Sequence, residues 1–159
     1  MANKIVLVGK AASGKDYLRT RLMDRGLRYG VSHTSRAPRP GEVDGKDYWF
    51  VTEGEFKEIV DRGAMVEHQM FNGWYYGIAQ WIFEEADIMI MNAEAVKLLP
   101  KNTRNICTVI YLDIPLEVRE SRLMDRGDIQ DPMKRRLIAD EDQFAGFNNY
   151  DIRITNPDF

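Results

Sequence analysis

Gly9-Lys10-Ala11-Ala12-Ser13-Gly14-Lys15 spells G-x-x-x-x-G-K, two glycines five positions apart with a lysine after the second. A glycine-rich turn lets backbone N–H groups face one centre, and a lysine at its end adds a point charge. Together they can hold the phosphates of a nucleoside triphosphate, provided that a strand precedes and a helix follows. Asp16 stands next, where this motif ordinarily places a Ser or Thr on Mg²⁺. A carboxylate is also a hard-cation ligand, and an acid in a first helical turn also suits the helix dipole, so both roles stay open. A second charged group is spaced for one helix face: Arg122 and Arg126 lie four apart, and Arg136 follows a polar break. Such arginines can meet phosphate oxygens or simply face water.

The elements around these residues supply the required context. Lys4-Ile5-Val6-Leu7-Val8 predicts a strand buried on both faces, as in a parallel sheet, and it ends at Gly9. From Asp16, Leu18, Leu22 and Met23 mark a helix that Gly26 closes, so the glycine loop sits between strand and helix. The middle of the chain changes character, with Pro38, Pro40, Gly41 and Gly45 punctuating it. Short strands are predicted over 47–51 and 65–69, with a helix over 53–62 between them. Apolar runs at 86–91 and 106–112, each followed by a helical pattern, resume a doubly wound alternation. A helix over 116–126, a polar break over 127–132, a helix over 133–144 and a last strand over 151–155 complete the reading. The expectation is one α/β domain: a P-loop NTPase core with a parallel sheet flanked by helices over 1–31 and 78–159, a mixed α+β insertion over 32–77, and a short lid at about 122–136.

Composition narrows the classes. The 159 residues are 44% hydrophobic and 30% charged, a balance that fits a packed globule and excludes disordered and fibrous chains. A net charge of −3 gives no global basic field for nucleic acid. Cys107 is the only cysteine, which excludes an intrachain disulfide and a cysteine-cluster metal site and suits a reducing compartment. No stretch approaches the roughly 18 apolar residues of a membrane span, and the amino end is too short for a signal segment. These features predict a cytoplasmic protein with no nucleic-acid or membrane partner; the expected state is a monomer or homodimer, between which the sequence does not choose. His33 and His68 lack metal-ligand spacing, and Met89, Met91 and Cys107 read as core.

The stretch from Val31-Ser32-His33-Thr34-Ser35-Arg36-Ala37-Pro38-Arg39 through Pro40-Gly41-Glu42-Val43-Asp44-Gly45-Lys46-Asp47-Tyr48 closely resembles the signature of guanylate kinases. With the glycine loop, Tyr75-Tyr76-Gly77 and the arginine-rich lid, the resemblance covers nearly the whole chain. It implies transfer of the terminal phosphate of ATP to GMP or dGMP with Mg²⁺, and it makes 32–77 the site of the nucleoside monophosphate. ATP then meets Gly9, Lys10, Ala11, Ala12, Ser13, Gly14, Lys15 and Asp16, with Asn156 near the adenine. Arg36 and Arg39 resemble the family's clamp for the acceptor phosphate, a role that suits paired guanidinium forks. Tyr48, Tyr76 and Gly77 match the phosphate-contacting element. Glu67 matches the guanine reader: a carboxylate can accept from N1–H and the 2-amino group together, whereas adenine offers an acceptor at N1. Ser32 matches the partner of the guanine carbonyl oxygen, and Asn92 would accept from the guanine amino group through its amide oxygen. Lys15, Arg36, Arg122, Arg126 and Arg136 match the catalytic and lid cations.

Two departures stand inside this pattern. Ile78 replaces a hydroxyl residue, and Ile90-Met91-Asn92 replaces the family's Asp-x-Asp, so Asp16 is expected to supply to Mg²⁺ the carboxylate that Ile90 lacks. The chain stops at Phe159, where the resembled enzymes continue into a final helix, the pattern of a compact variant. Two further readings remain: a kinase of this fold with another acceptor, such as a different deoxynucleotide or a sugar phosphate, and a non-catalytic module that grips phosphorylated ligands.

Overall fold

The computed structural model of the protein describes residues 3–127 and 130–159. The first sheet grows from β1 (Lys4–Gly9), whose Val6, Leu7 and Val8 are fully buried. It pairs in parallel with β6 (Ile88–Ile90) on one side and β7 (Cys107–Leu112) on the other, and β7 carries β8 (Ile152–Ile154) in parallel. The strand order β6-β1-β7-β8 requires a crossover at every step, which explains the alternation of strand and helix along this part of the chain. The helices along this part of the chain are α1 (Lys15–Met23), α3 (Gln80–Glu85), α4 (Ala93–Leu98), α5 (Lys101–Arg104), α6 (Leu116–Asp125) and α7 (Gln130–Phe144). Tyr111 of β7 stacks on Phe144 with ring centroids 5.4 Å apart and meets Phe147 edge-on, so the carboxyl end of α7 is anchored in the main core.

The second sheet is mixed, in the order β3-β2-β5-β4, built from β2 (His33–Thr34), β3 (Trp49–Phe50), β4 (Met65–Phe71) and β5 (Trp74–Ala79). Helix α2 (Glu53–Asp61) packs on it, started by a capping box in which Thr52 and Glu55 bond each other's backbone N–H. Asn72 and Gly73 both adopt positive φ (51° and 85°), the conformation of a two-residue type I′ hairpin between β4 and β5.

Several boundaries differ from the expectations. The 47–51 strand shrinks to two residues, because the Asp47 and Asp44 carboxylates bond the Val43 and Phe50 N–H groups and hold a turn there. Strand β5 and helix α3 join the expected elements, and the second sheet runs to Ala79, two residues past 77. Asn92 caps α4 and ends the 86–91 run early, while Pro100 divides the following helical pattern into α4 and α5. Helix α7 starts at Gln130, with Pro132 in its first turn, where an amide hydrogen has no intrahelical partner to lose. The middle of the expected polar break, 128–129, lies outside the described residues. Among the described residues no helix is long and apolar enough to cross a membrane.

Candidate active site

The glycine loop joins β1 to α1 as its motif requires. Gly14 is the N-cap of α1 at φ +99°, a left-handed conformation that a side chain would strain, and a Cβ there would lie 2.9 Å from the Phe159 ring. At Gly9 a Cβ would crowd the Leu112 carbonyl oxygen at 2.9 Å. Ala12 also takes positive φ (60°), and its methyl packs with Leu123 of α6 and Leu137 of α7, so the loop rests on both helices. Lys15 donates to the Gly9 and Lys10 carbonyls at 2.6 and 3.1 Å. Burial pulls its ammonium below the usual lysine range, against the opposing pull of Asp140 and Asp16.

A cavity of about 260 Å³ opens beside this loop, between the two sheets. Gly9, Ala11 and Lys15 line it, and so do Ser32, Arg36, Arg39, Tyr48, Glu67, Tyr76, Gly77, Asn92 and Arg136 from the sequence reading. Arg36 is buried, with its fork paired to both Glu42 oxygens at 3.0 Å. Glu42 also accepts from the Arg39 N–H at 2.7 Å, which stiffens the turn carrying both arginines. Arg39 is held below the usual guanidinium range first by burial and then by the Arg36 and Arg136 charges. Three guanidinium groups therefore converge on one wall, an arrangement that a dianionic phosphate would relieve. Tyr48 and Tyr76 meet edge-on at 5.9 Å, and burial raises the Tyr48 hydroxyl, keeping it a neutral donor.

Glu67 reaches the cavity through a break in the β4–β5 register between Met65 and Glu67. The irregularity lets two successive residues turn inward, Val66 into the core and Glu67 into the cavity, and the alternation then continues with His68 out and Gln69 in. Burial pushes the Glu67 carboxyl up to about 8, offset in part by a hydrogen bond from Ile78 N–H, and its Oε2 is buried without a partner. Gly77 permits this approach: a Cβ there would sit 2.7 Å from the Glu67 carbonyl oxygen. Ile78 is fully buried in the core, so its position adds no polar group to the cavity.

The family model for guanylate kinase matches residues 1–159. A guanylate kinase of Rickettsia typhi is 32% identical, covering 98% of this chain and 83% of its own length. The chain belongs to the guanylate kinase family. A second family member, from Syntrophus aciditrophicus, is 34% identical over 96% of this chain and 77% of its own. The crystal structure of guanylate kinase from Anaplasma phagocytophilum superposes with a TM-score of 0.71 at 23% identity, covering 98% of this chain and 78% of that one, and so shares the fold.

Other expected residues of this guanylate kinase family member sit elsewhere. Arg122 donates to the Ala12 and Pro157 carbonyls at 2.9 and 3.1 Å, which ties the loop to the segment after β8, where Asn156 accepts from the Asp158 N–H. Arg126 is exposed at the C-cap of α6, close enough to act on the Lys15 charge. Asp16 is exposed beside Arg19, 3.4 Å away. The Asn92 oxygen is taken: it accepts from the Ala95 N–H at 2.8 Å and from Gln69 Nε2 at 2.5 Å, so it is not open to a ligand's amino group as the sequence reading expected. Three residues absent from that reading matter. Gln69 follows Glu67 by two along a strand, and Asp140 follows Arg136 by four along a helix, spacings that put each pair on one face. Asp140 accepts from the Ala11 N–H at 2.7 Å and lines the same cavity. Arg119, three before Arg122, is 2% exposed and lies 3.5 Å from Glu141, which also pairs with Lys10.

Proposed function

We propose that the protein transfers the terminal phosphate of ATP to GMP or dGMP, giving ADP and the nucleoside diphosphate. The observation that carries this reading is one cavity in which a buried carboxylate with an open oxygen, three converging guanidinium groups and the glycine-loop lysine face a common space. Glu67 as carboxylate accepts N1–H and a 2-amino hydrogen of guanine, and Ser32 donates to the carbonyl oxygen. Arg36, Arg39 and the two tyrosine hydroxyls hold the acceptor phosphate, so its oxygen is positioned for in-line attack on the terminal phosphate. Lys15, the loop N–H groups and Arg136 stabilise charge on the transferring oxygens, with Arg122 and Arg126 joining them if α6 repacks from its present carbonyl contacts. The protein forms no covalent intermediate in this scheme.

Mg²⁺ would enter with ATP and neutralise charge on its phosphates. The donors fit such an ion: a cation carried by phosphate and water needs only one protein carboxylate, and an exposed one stands beside the loop lysine. Asp16, beside Lys15 at the start of α1, is that candidate. The same reading makes the protein a cytoplasmic monomer or homodimer whose partners are small nucleotides.

The test is ADP release with ATP and Mg²⁺ against GMP, dGMP, IMP, AMP, dTMP and CMP. Turnover is expected with GMP and dGMP, with AMP at least about 100-fold poorer because its N1 leaves Glu67 unmatched. Preference for another acceptor would overturn the base assignment, and silence with GMP bound but ATP unbound would make the protein a binding module.

A further inference from the structure

The two side-chain amides in the cavity, Gln69 and Asn92, have orientations fixed by what each neighbour can do. The Ala95 N–H can only donate, so the Asn92 atom that caps α4 is its oxygen. That oxygen can only accept, so the Gln69 atom 2.5 Å from it is Nε2. The remaining atom of Gln69 is therefore Oε1, an acceptor with no partner among the described residues. Gln69 and Glu67 share the cavity side of β4, separated by the one outward residue His68.

A guanine 2-amino group carries two hydrogens. A carboxylate that pairs with N1–H takes one of them in parallel, and the other is left on the far side of the same nitrogen. In a closed cavity an unmatched N–H weakens binding about tenfold or more. The apolar Ile78 has nothing to offer it, and the Asn92 oxygen is already doubly bonded to donors.

We propose that Gln69 is a specificity-determining residue for the acceptor base: its Oε1 accepts the second 2-amino hydrogen, while Asn92 acts as a positioning residue that turns the Gln69 amide the right way. This rests on the guanine reading of Glu67 given above. It makes the cavity selective for purines that bear a 2-amino group over those that share only N1–H and the 6-oxygen, and it uses a residue two places along the strand from the carboxylate.

The experiment compares kcat/KM for GMP and IMP, which differ only in the 2-amino group, in the wild-type protein and in Gln69→Met, which keeps length and volume but not the acceptor. The GMP-to-IMP ratio is expected to shrink about tenfold in the variant. Because both substrates are read in one preparation, a partly inactive variant does not change the ratio. Equal losses on both substrates would assign Gln69 a structural role and overturn the proposal, as would an unchanged ratio. Gln69→Leu repeats the test with a shorter apolar side chain, and the wild-type protein provides a third measurement with N2-methyl-GMP, which keeps one amino hydrogen. Its kcat/KM should fall most of the way toward that of IMP, and equality with GMP would overturn the proposal. A wild-type protein inactive on GMP would overturn the guanine reading itself, whereas an active one with an unchanged ratio overturns the Gln69 role alone.

Discussion

Glu67→Gln separates two consequences of burying one carboxyl. In the unliganded protein burial lifts this group from its ordinary 4.5 to about 8. The native state then holds its proton more tightly than the unfolded state does, so the contribution of this group to stability is fully present below 4.5 and is lost as pH rises toward 8. The full loss is on the order of 5 kcal/mol, about 1.4 for each unit between the two values. Glutamine keeps the shape and cannot ionise. The stability difference between variant and wild type should therefore grow in favour of the variant by about 4 kcal/mol between pH 5 and pH 9, near 10 °C in Tm for a domain of this size. Thermal melts of both proteins across that range measure it. Parallel pH profiles would refute the claim that Glu67 titrates as a buried acid.

Binding moves the other way. Pairing with N1–H and the 2-amino group needs the carboxylate, and with a value of about 8 only about a tenth of the unliganded protein carries it at pH 7. GMP affinity of the wild type should rise close to an order of magnitude from pH 7 to pH 8.5. Complex formation at pH 7 should release nearly one proton, visible as a buffer-dependent heat in calorimetry. Glu67→Gln should lose both the pH dependence and most of the affinity. The variant would be the more stable protein at alkaline pH and the poorer kinase, which ties the cost in stability to the recognition of the base.

Two further substitutions test the loop. Asp140→Ala should tighten ATP binding by about fivefold, because a carboxylate now bonds the Ala11 N–H that a phosphate oxygen needs, a competing interaction of about 1 kcal/mol; an unchanged or weaker ATP KM would show that the acid does not compete. Asp16→Ala should raise the Mg²⁺ concentration for half-maximal turnover several-fold at saturating nucleotide, whereas unchanged Mg²⁺ dependence would remove Asp16 from the metal and leave it as the partner of Arg19.

What the sequence made legible follows from how local each signal is. The β1 run and the glycine loop are contiguous, so their order alone places phosphate chemistry at the sheet's end. Arg36 and Arg39 share a proline-punctuated turn, and their convergence needed only that turn to be tight. Glu67 stands out only through the family resemblance, and its burial is not legible in the sequence, because that depends on the register break with β5. The β5 strand is signalled by Asn72-Gly73, the two-residue hairpin turn, but Trp74-Tyr75-Tyr76-Gly77-Ile78-Ala79 shows no alternation of apolar and polar residues to mark it as a strand. The two donors to the Asn92 oxygen come from different distances in the chain. The Ala95 N–H is three residues away, a capping pattern visible in sequence, whereas Gln69 is twenty-three residues away and arrives only through the second sheet.

The acid at the loop shows how tertiary placement can move a charge that the strand end no longer supplies. Ile90 leaves β6 without a carboxylate where it reaches the cavity, and Asp16, one residue past the loop lysine, is largely exposed and paired with Arg19. The carboxylate bonded to a loop amide comes instead from α7, at Asp140. That helix also brings Arg136 to the cavity one turn earlier, so the two charges are fixed on one rigid face and move together. In this arrangement Asp140 occupies the Ala11 N–H that a phosphate oxygen of ATP would take. ATP and the Asp140 carboxylate therefore compete for one donor of the loop, which is the competition that the Asp140 substitution measures.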